Sequence, residues 1–334
     1  MNLAICKNKM RNYYTQMKIK IQLFVRSIFI GLCFFLISCS LLPNNCPPQC
    51  VGANLMSKDL SAVNFSKAQL INANFRKARL QQTNFEMANL SGAILDESDL
   101  NGANFKSAIL RGTKIRNANL GKADLSSADL SGADLSGSIL TGAILETADI
   151  SGAILDKIEM YGASLGGVDW RAARLRSAFL SGSDLHGAYM PGAYLSGAVI
   201  VGGILVRSNL KGAWLNHTNL SGTNLQGAYL NGASLYAADL NGCDLRNAEL
   251  IGANLVGAKL DGADLRSTNL TGALFFLSDL KTQGIDIVDA EIMEMNEKDR
   301  TALAQDASFG GVKYNDETKW PSGIKIPSTA IYIP

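Results

Sequence analysis

The chain is poor in large, rigid side chains. Its 334 residues include only 7 Pro, and Phe, Trp and Tyr together make up 7% of them. This composition cannot fill the core of a conventional globular protein of this length, whereas the 32 Gly residues suit tight turns. The imbalance predicts a repeat with a small, regular interior.

Histidine and net charge are also scarce. The 2 His residues leave little room for histidine-based acid–base catalysis or metal binding. The 31 Lys and Arg nearly balance the 29 Asp and Glu, which argues against nucleic-acid binding through bulk charge. The sequence has no Ser–His–Asp set, zinc-protease motif or phosphate loop in a strand–helix context. We therefore expect a protein that is not an enzyme and uses no cofactor.

Residues 1–26 contain no acidic residue. Six basic residues precede a short apolar run, Ser27 to Ile37. A basic segment followed by a short apolar run is typical of a secretory signal, and the run is too short for a comfortable membrane span. Translation could start at Met1, Met10 or Met17.

The apolar run ends in Leu36-Ile37-Ser38-Cys39. These four residues resemble the lipobox of bacterial lipoproteins. The resemblance implies cleavage after residue 38 and acylation (palmitate) of Cys39, with Ser40 favouring the outer membrane of a Gram-negative cell. The alternative is an uncleaved anchor. The expected location is the cell envelope.

Residues 39–50 would form a lipidated tether. They include Cys46 and Cys50, and export to an oxidising compartment permits a disulfide between the two. The alternative is two free thiols. Cys243 stands alone at a small-residue position, so we expect it to be packed rather than reactive.

A period of five residues runs through the body of the chain. From Leu55 to Leu280 every fifth residue is large and apolar, and 40 of these 46 positions are Leu or Phe. Two residues earlier the side chain is small, and Ala occupies 30 of the 46 sites. Gly often comes one residue before the small site. A period of five fits neither a free helix nor a flat strand.

The unit A-(D/N)-L-x-x resembles the pentapeptide-repeat family over residues 51–280. The resemblance implies an all-β solenoid: a right-handed, quadrilateral β-helix with four units per coil, whose Leu/Phe and small residues point inward. Phe65, Phe85 and Phe105 lie 20 residues apart, as four units per coil require. Residues 51–280 would then make about 11 coils.

Residues 281–334 break the period and are expected to cap the open end of the solenoid. Ile285 to Met295 and Glu297 to Asp306 contain helical stretches. The segment around Tyr314 to Gly323 resembles a tail that follows some pentapeptide arrays, with one residue inserted near Asn315. Trp320 is expected to pack on the last coil.

Outward positions yield two candidate sites. The first is a cluster of apolar and aromatic residues at outward positions, and such clusters mark partner surfaces. In this cluster Arg174, Tyr194 and Trp214 share a column suited to cation–π contact. The alternative is local packing between outward side chains. Three carboxylates in one column form a weak candidate for a cation site, unless solvent or Arg171 screens them. The candidate partner site comprises Arg174, Phe179, Tyr189, Tyr194, Val199, Ile204 and Trp214, and the cation column comprises Asp129, Asp149 and Asp169.

The favoured hypothesis is an exported, lipid-anchored, non-catalytic scaffold that binds an unknown protein and can form oligomers. Some pentapeptide-repeat proteins mimic DNA and inhibit gyrase, and this is the competing hypothesis. That activity calls for an acidic, cytosolic protein, whereas residues 51–280 hold 19 Lys and Arg against 20 Asp and Glu. Basic residues in the first half of the repeat could touch anionic lipid headgroups or simply be solvated.

Overall fold

The computed structural model describes residues 42, 46–275, 307–322, 326 and 328–334. The predicted signal, Cys39, Ser40 and the predicted helical stretches between Ile285 and Asp306 lie outside the described residues. The repeat belongs to a unit that extends from Pro47 to Pro334. Among the described residues, no helix is long and apolar enough to cross a membrane.

A parallel backbone ladder connects each coil to the next. The residue before each inward Leu or Phe pairs with the residue 20 positions later, from Gln49–Gln69 through to Asn254–Leu274. Along the ladder, N–H groups donate to carbonyl oxygens of the neighbouring coil, as in Leu55 to Asn74 at 2.7 Å. Twenty residues are four pentapeptides, so each coil has four sides. The predicted four-unit coil is confirmed.

The interior contains one large and one small side chain from each pentapeptide. The Leu and Phe positions and the Ala positions of the coils are almost all fully buried. Phe65, Phe85 and Phe105 stack at centroid distances of 5.4 and 4.8 Å with nearly parallel rings. The predicted phenylalanine column therefore exists.

Polar residues at the small inward sites are satisfied by main-chain carbonyls. The Thr218 hydroxyl donates to the carbonyl oxygen of Leu195, 23 residues earlier, at 2.9 Å. The Cys243 thiol makes the same contact with Leu220, at 2.9 Å. Burial raises the pKa of Cys243 to about 12, so this cysteine is packed and protonated at neutral pH.

The turns of the coil explain two further positions of the repeat, the residue before the small site and the residue before the inward Leu or Phe. The residue before each small site has a left-handed backbone at all positions from Gly52 to Gly272, with φ between 52° and 72°. Asp or Asn before the inward Leu accepts a hydrogen bond from the N–H two residues on, as Asn64 does from Ser66 at 3.0 Å. The Asx turn, where the residue is Asp or Asn, and the tolerance of Gly for positive φ favour the corner, although other residues adopt the same conformation at many positions, as Gln82 and Ser177 do.

The interior is overfilled near Trp170. The ring is fully buried, and its Nε1 has no hydrogen-bond partner among the described residues. Ile158, also fully buried, occupies a repeat position that is small in every other described pentapeptide except that of Lys58. Nearby ladder and turn bonds lengthen to 3.4 Å, as from Thr147 to Gly166 and from Val168 to Leu165. Large inward side chains thus loosen the ladder locally.

The C-terminal tail continues the helix as a further coil. Ser308, Lys313 and Lys319 pair with Lys259, Asp264 and Asn269. Trp320 contacts Phe309 and Tyr314 at centroid distances of 6.3 and 6.0 Å.

One residue is inserted in this coil. The coil still pairs in register with the preceding one, because a side-chain oxygen replaces a main-chain carbonyl as the acceptor of one ladder hydrogen bond. The Asn315 side-chain oxygen accepts the Ser267 N–H at 2.9 Å, where the regular ladder uses a carbonyl. A short strand β1 (Lys313–Tyr314) then pairs in parallel with β2 (Ile331–Tyr332).

We expect Gly132→Val to lower the free energy of unfolding by about 1–2 kcal/mol, because a β-branched residue is strained at a φ of +64°. An added Cβ would meet nothing within 4 Å, so the loss would come from the backbone alone. The measurement is denaturant unfolding. Gly132→Asn is the matched control, since Asn tolerates this conformation; equal losses in the two variants would contradict the account.

Candidate interaction surface

The ladder sorts outward residues into four columns, one on each side of the coil. The first column contains Tyr189 and the three candidate aspartates, and the second contains Arg174, Tyr194 and Trp214. The third pairs Phe179 with Val199, and the fourth contains Ile204. The seven residues predicted as one partner site therefore encircle the coils instead of sharing one face.

Tyr194 and Trp214 form the most ordered part of this set. Their rings stack with centroids 6.2 Å apart and planes 11° from parallel. The guanidinium carbon of Arg176 lies 6.0 Å from the Tyr194 centroid. Arg174 instead forms an ion pair with Asp156, with Nη2 2.6 Å from Oδ2. The predicted cation–π contact exists, but Arg176 makes it and Arg174 does not.

We call Arg174, Arg176, Tyr194 and Trp214 the Tyr–Trp surface. Both aromatic rings are partly exposed. The next residue in the column after Trp214 is Ser234, which is small, so the side of Trp214 away from Tyr194 has no large neighbour in its column. The arrangement offers a fixed aromatic edge with a cation at one end.

A second apolar surface lies on the next side of the coil. The rings of Tyr161 and Phe179 have their centroids 6.0 Å apart. They are 39% and 36% exposed, and Val201 at the following corner is 38% exposed. Val199 pairs with Phe179 and extends this ridge. Tyr189 and Ile204 lie on the two other sides.

The carboxylates of the aspartate column are engaged in turns and ion pairs. Asp129, Asp149 and Asp169 are bridged in sequence as predicted. Each accepts the N–H two residues on, at 2.9–3.1 Å. Arg111 pairs with Asp129 and Arg171 with Asp169. Burial would raise the pKa of Asp129, but hydrogen bonds from Ser131 and Arg111 outweigh it and hold that pKa below its usual value. No group of metal-ligating side chains occurs in the part of the chain that the structure describes.

The arginines of the first half are paired, whereas most of its lysines are not: Lys67, Lys106, Lys114 and Lys122 form no ion pair with the described residues. Arg76 and Lys77 both contact Glu97, and Arg79 contacts Asp59. Arg116 lies 2.6 Å from Asp96. Pairing therefore removes only part of the basic charge of this half, and both the headgroup and the solvated-face interpretations stay predictions.

Both cysteines of the predicted tether, Cys46 and Cys50, are buried and disulfide-bonded. Cys50 stands at the first inward position of the repeat, where the later coils have Leu or Phe. The ladder begins beside it, since the Cys50 N–H donates to the Gln69 carbonyl at 2.8 Å. Their pairing with each other stays a prediction.

A band without acidic residues contains Tyr194 and Trp214, the two aromatic residues of the Tyr–Trp surface. No Asp or Glu occurs from Leu185 to Ala238, a gap more than twice as long as the next within the repeat, Asp59 to Glu86. Both histidines of the chain lie in this acid-free band. Its length is visible in the sequence, but only the ladder shows that it covers all four sides of successive coils.

The repeat geometry defines a four-sided β-helical solenoid, and family comparisons agree with it. The family model described as pentapeptide repeats matches residues 118–156, 155–190, 204–242 and 238–275, and the model described as pentapeptide repeat region matches 54–125. The chain belongs to the pentapeptide-repeat family. Proteins of this family form right-handed quadrilateral β-helices.

Several solved structures are similar to parts of the chain. HetL, a pentapeptide repeat protein involved in heterocyst differentiation regulation in the cyanobacterium Nostoc sp. strain PCC 7120, is 32% identical, over 64% of this chain and 89% of HetL, with a TM-score of 0.33. QnrB1, a plasmid-mediated fluoroquinolone resistance protein, is 19% identical, over 62% of this chain and 84% of QnrB1, with a TM-score of 0.30. A comparison with curated proteins gave no match.

Acidification should destabilise the β-helix through Asp264. Burial would raise the pKa of Asp264, but hydrogen bonds from Arg266 and the charges of Arg266 and Arg246 lower it below its usual value. A lowered pKa contributes stability that is present above the unfolded-state pKa and lost as pH falls through the folded-state pKa. Unfolding measured from neutral pH to below about pH 4 should therefore lose less stability in Asp264→Asn than in wild type. The Asn side chain of the variant would keep the oxygen that accepts the turn hydrogen bond, so the substitution removes only the charge. Identical dependence of stability on pH in the two proteins would contradict the role given to Asp264.

Proposed function

We propose that this protein is an exported, lipid-anchored, non-catalytic scaffold whose β-helix presents a partner-binding surface. The basic segment, the apolar run and the Leu36–Cys39 motif support export and acylation at Cys39. The lateral faces of a β-helix of about 11 coils would then be available to a partner in the cell envelope. Ser40 favours the outer membrane.

The Tyr–Trp surface is the observation that carries the binding proposal. Aromatic residues and Arg are enriched at protein interfaces, and Trp, Tyr and Arg dominate their energetic hot spots. The stacked rings lie on a regular backbone ladder, so little side-chain entropy remains to be lost on binding. The acid-free band around them favours a partner with an acidic rim.

We expect Trp214→Ser to weaken partner binding by at least about tenfold, because it removes the ring at the exposed end of the stack. The measurement is capture of envelope proteins by the tagged chain, followed by affinity determination with the captured protein. Tyr229→Ser is the matched control, since Tyr229 is 44% exposed in the same band but lies in another column. Unchanged binding by the Trp214 variant, or an equal loss in the control, would reject this surface.

Acylation is tested separately by metabolic palmitate labelling. We expect label in the wild-type chain and none in Cys39→Ala, because the thiol of that residue would carry the lipid. Cys243→Ala is the control and should keep the label, since its thiol is buried in a coil. Absence of label in the wild-type chain would contradict the lipoprotein proposal.

The alternative function is DNA mimicry directed at an enzyme such as gyrase. It requires a strongly acidic surface, whereas the repeat is nearly neutral and the acid-free band interrupts its carboxylates. Cell fractionation separates the two proposals. Recovery of an unprocessed chain from the cytosol would favour DNA mimicry.

A further inference from the structure

A groove of about 470 Å³ opens at the corner between the fourth and first columns. The residues from His186 to Gly227 lie within the acid-free band, and Asn247 lies in the coil that follows the band. The Tyr–Trp surface lies on another side of the coils. The residues that matter for its chemistry are His186, Gly187, Arg207, Gln226, Gly227 and Asn247.

Two glycines create the groove. Gly187 and Gly227 lie one coil before and one coil after Arg207, at the left-handed corner position. A Cβ at Gly187 would meet nothing within 4 Å, so open space lies above that residue. A Cβ at Gly227 would lie 3.5 Å from Cγ of Arg207, so the stem of the arginine passes close to that glycine. Longer side chains at either position would fill the groove.

The polar groups of the groove are mainly donors. Arg207 presents a guanidinium with several N–H groups, and Gln226 and Asn247 add side-chain amides. No ion pair joins Arg207 to an acidic residue of the described chain. This contrasts with Arg174, Arg246 and Arg266, each of which contacts an aspartate.

The nearest carboxylate in this corner is already engaged. Asp184 accepts the His186 N–H at 3.1 Å and lies 2.8 Å from Nδ1 of the same ring. Burial would raise the pKa of Asp184, but these hydrogen bonds outweigh it and lower that pKa, so the group stays ionised and occupied. The fourth column continues from Asp184 through Ile204 and Asn224 to Asp244, whose carboxylate forms an ion pair with Arg246. Arg207 therefore faces a groove without a protein counter-ion.

We propose that this groove binds an oxyanion, a carboxylate or phosphate group of a ligand, through the guanidinium of Arg207 and the amides of Gln226 and Asn247. Charge-assisted hydrogen bonds from arginine suit both groups, because its fork of N–H donors matches their paired oxygens. The site is independent of the partner surface, so its failure would leave the proposed function untouched.

The test uses the purified full chain with two probes, inorganic phosphate and acetate, and follows their binding by line broadening in ³¹P and ¹³C NMR. A single oxyanion in an open groove should bind with a Kd on the order of 1 mM. Arg207→Gln should weaken binding at least about tenfold. Gly187→Asn, which suits the left-handed backbone, should weaken it by filling the groove.

Lys211→Gln is the matched control. It removes the other Lys or Arg charge of the band, but its Nζ lies over the Tyr229 ring at 5.5 Å, outside the groove. Binding retained in this variant and lost in the other two would support the site, and the probe that binds more tightly identifies carboxylate or phosphate. No binding of either probe, or an equal loss in Lys211→Gln, would overturn it.

Discussion

The parallel ladder that pairs each coil with the next, 20 residues on, is the constraint on which the rest of the structure depends. It fixes which side chains point inward, and the narrow interior then accepts one large and one small group per pentapeptide. Hydroxyls and the Cys243 thiol fit the small sites because a carbonyl of the preceding coil accepts their hydrogen bonds. Where the interior is overfilled, at Trp170, neighbouring ladder bonds lengthen.

The same ladder determines which residues are neighbours on the surface. Residues 20 apart become neighbours about 5 Å apart, so a run of similar residues becomes a column and a long run becomes a band. The acid-free band from Leu185 to Ala238 is such a case. It contains the stacked rings of Tyr194 and Trp214 on one side of the coils and Arg207 at a corner. A backbone of uniform geometry can thus carry unrelated sites on its sides.

The sequence alone predicted the repeat, its inward positions and the phenylalanine column, because these depend only on a period that the backbone enforces. The sides on which the candidate partner residues lie could not be judged from their apolar character alone: Phe179, Tyr189, Tyr194 and Ile204 lie on four different sides. Their role in partner binding stays a prediction. Arg176, rather than Arg174, lies against the Tyr194 ring, because Asp156 forms an ion pair with Arg174. The sequence did not predict the coil after residue 306, because the five-residue period is interrupted there and one residue is inserted. The side chain of Asn315 accommodates the insertion by accepting a ladder hydrogen bond.

Excision of one coil tests the central claim about register most directly. Removing residues 110–129 joins two positions that are equivalent in the ladder, and this variant should show one cooperative thermal transition and an unchanged β spectrum by circular dichroism. An excision two residues shorter would leave two unmatched residues in the joining coil, so that coil could not pair regularly with its neighbours, and the midpoint of the transition should fall well below that of the 20-residue excision. Equal behaviour of the two variants would contradict the register described here.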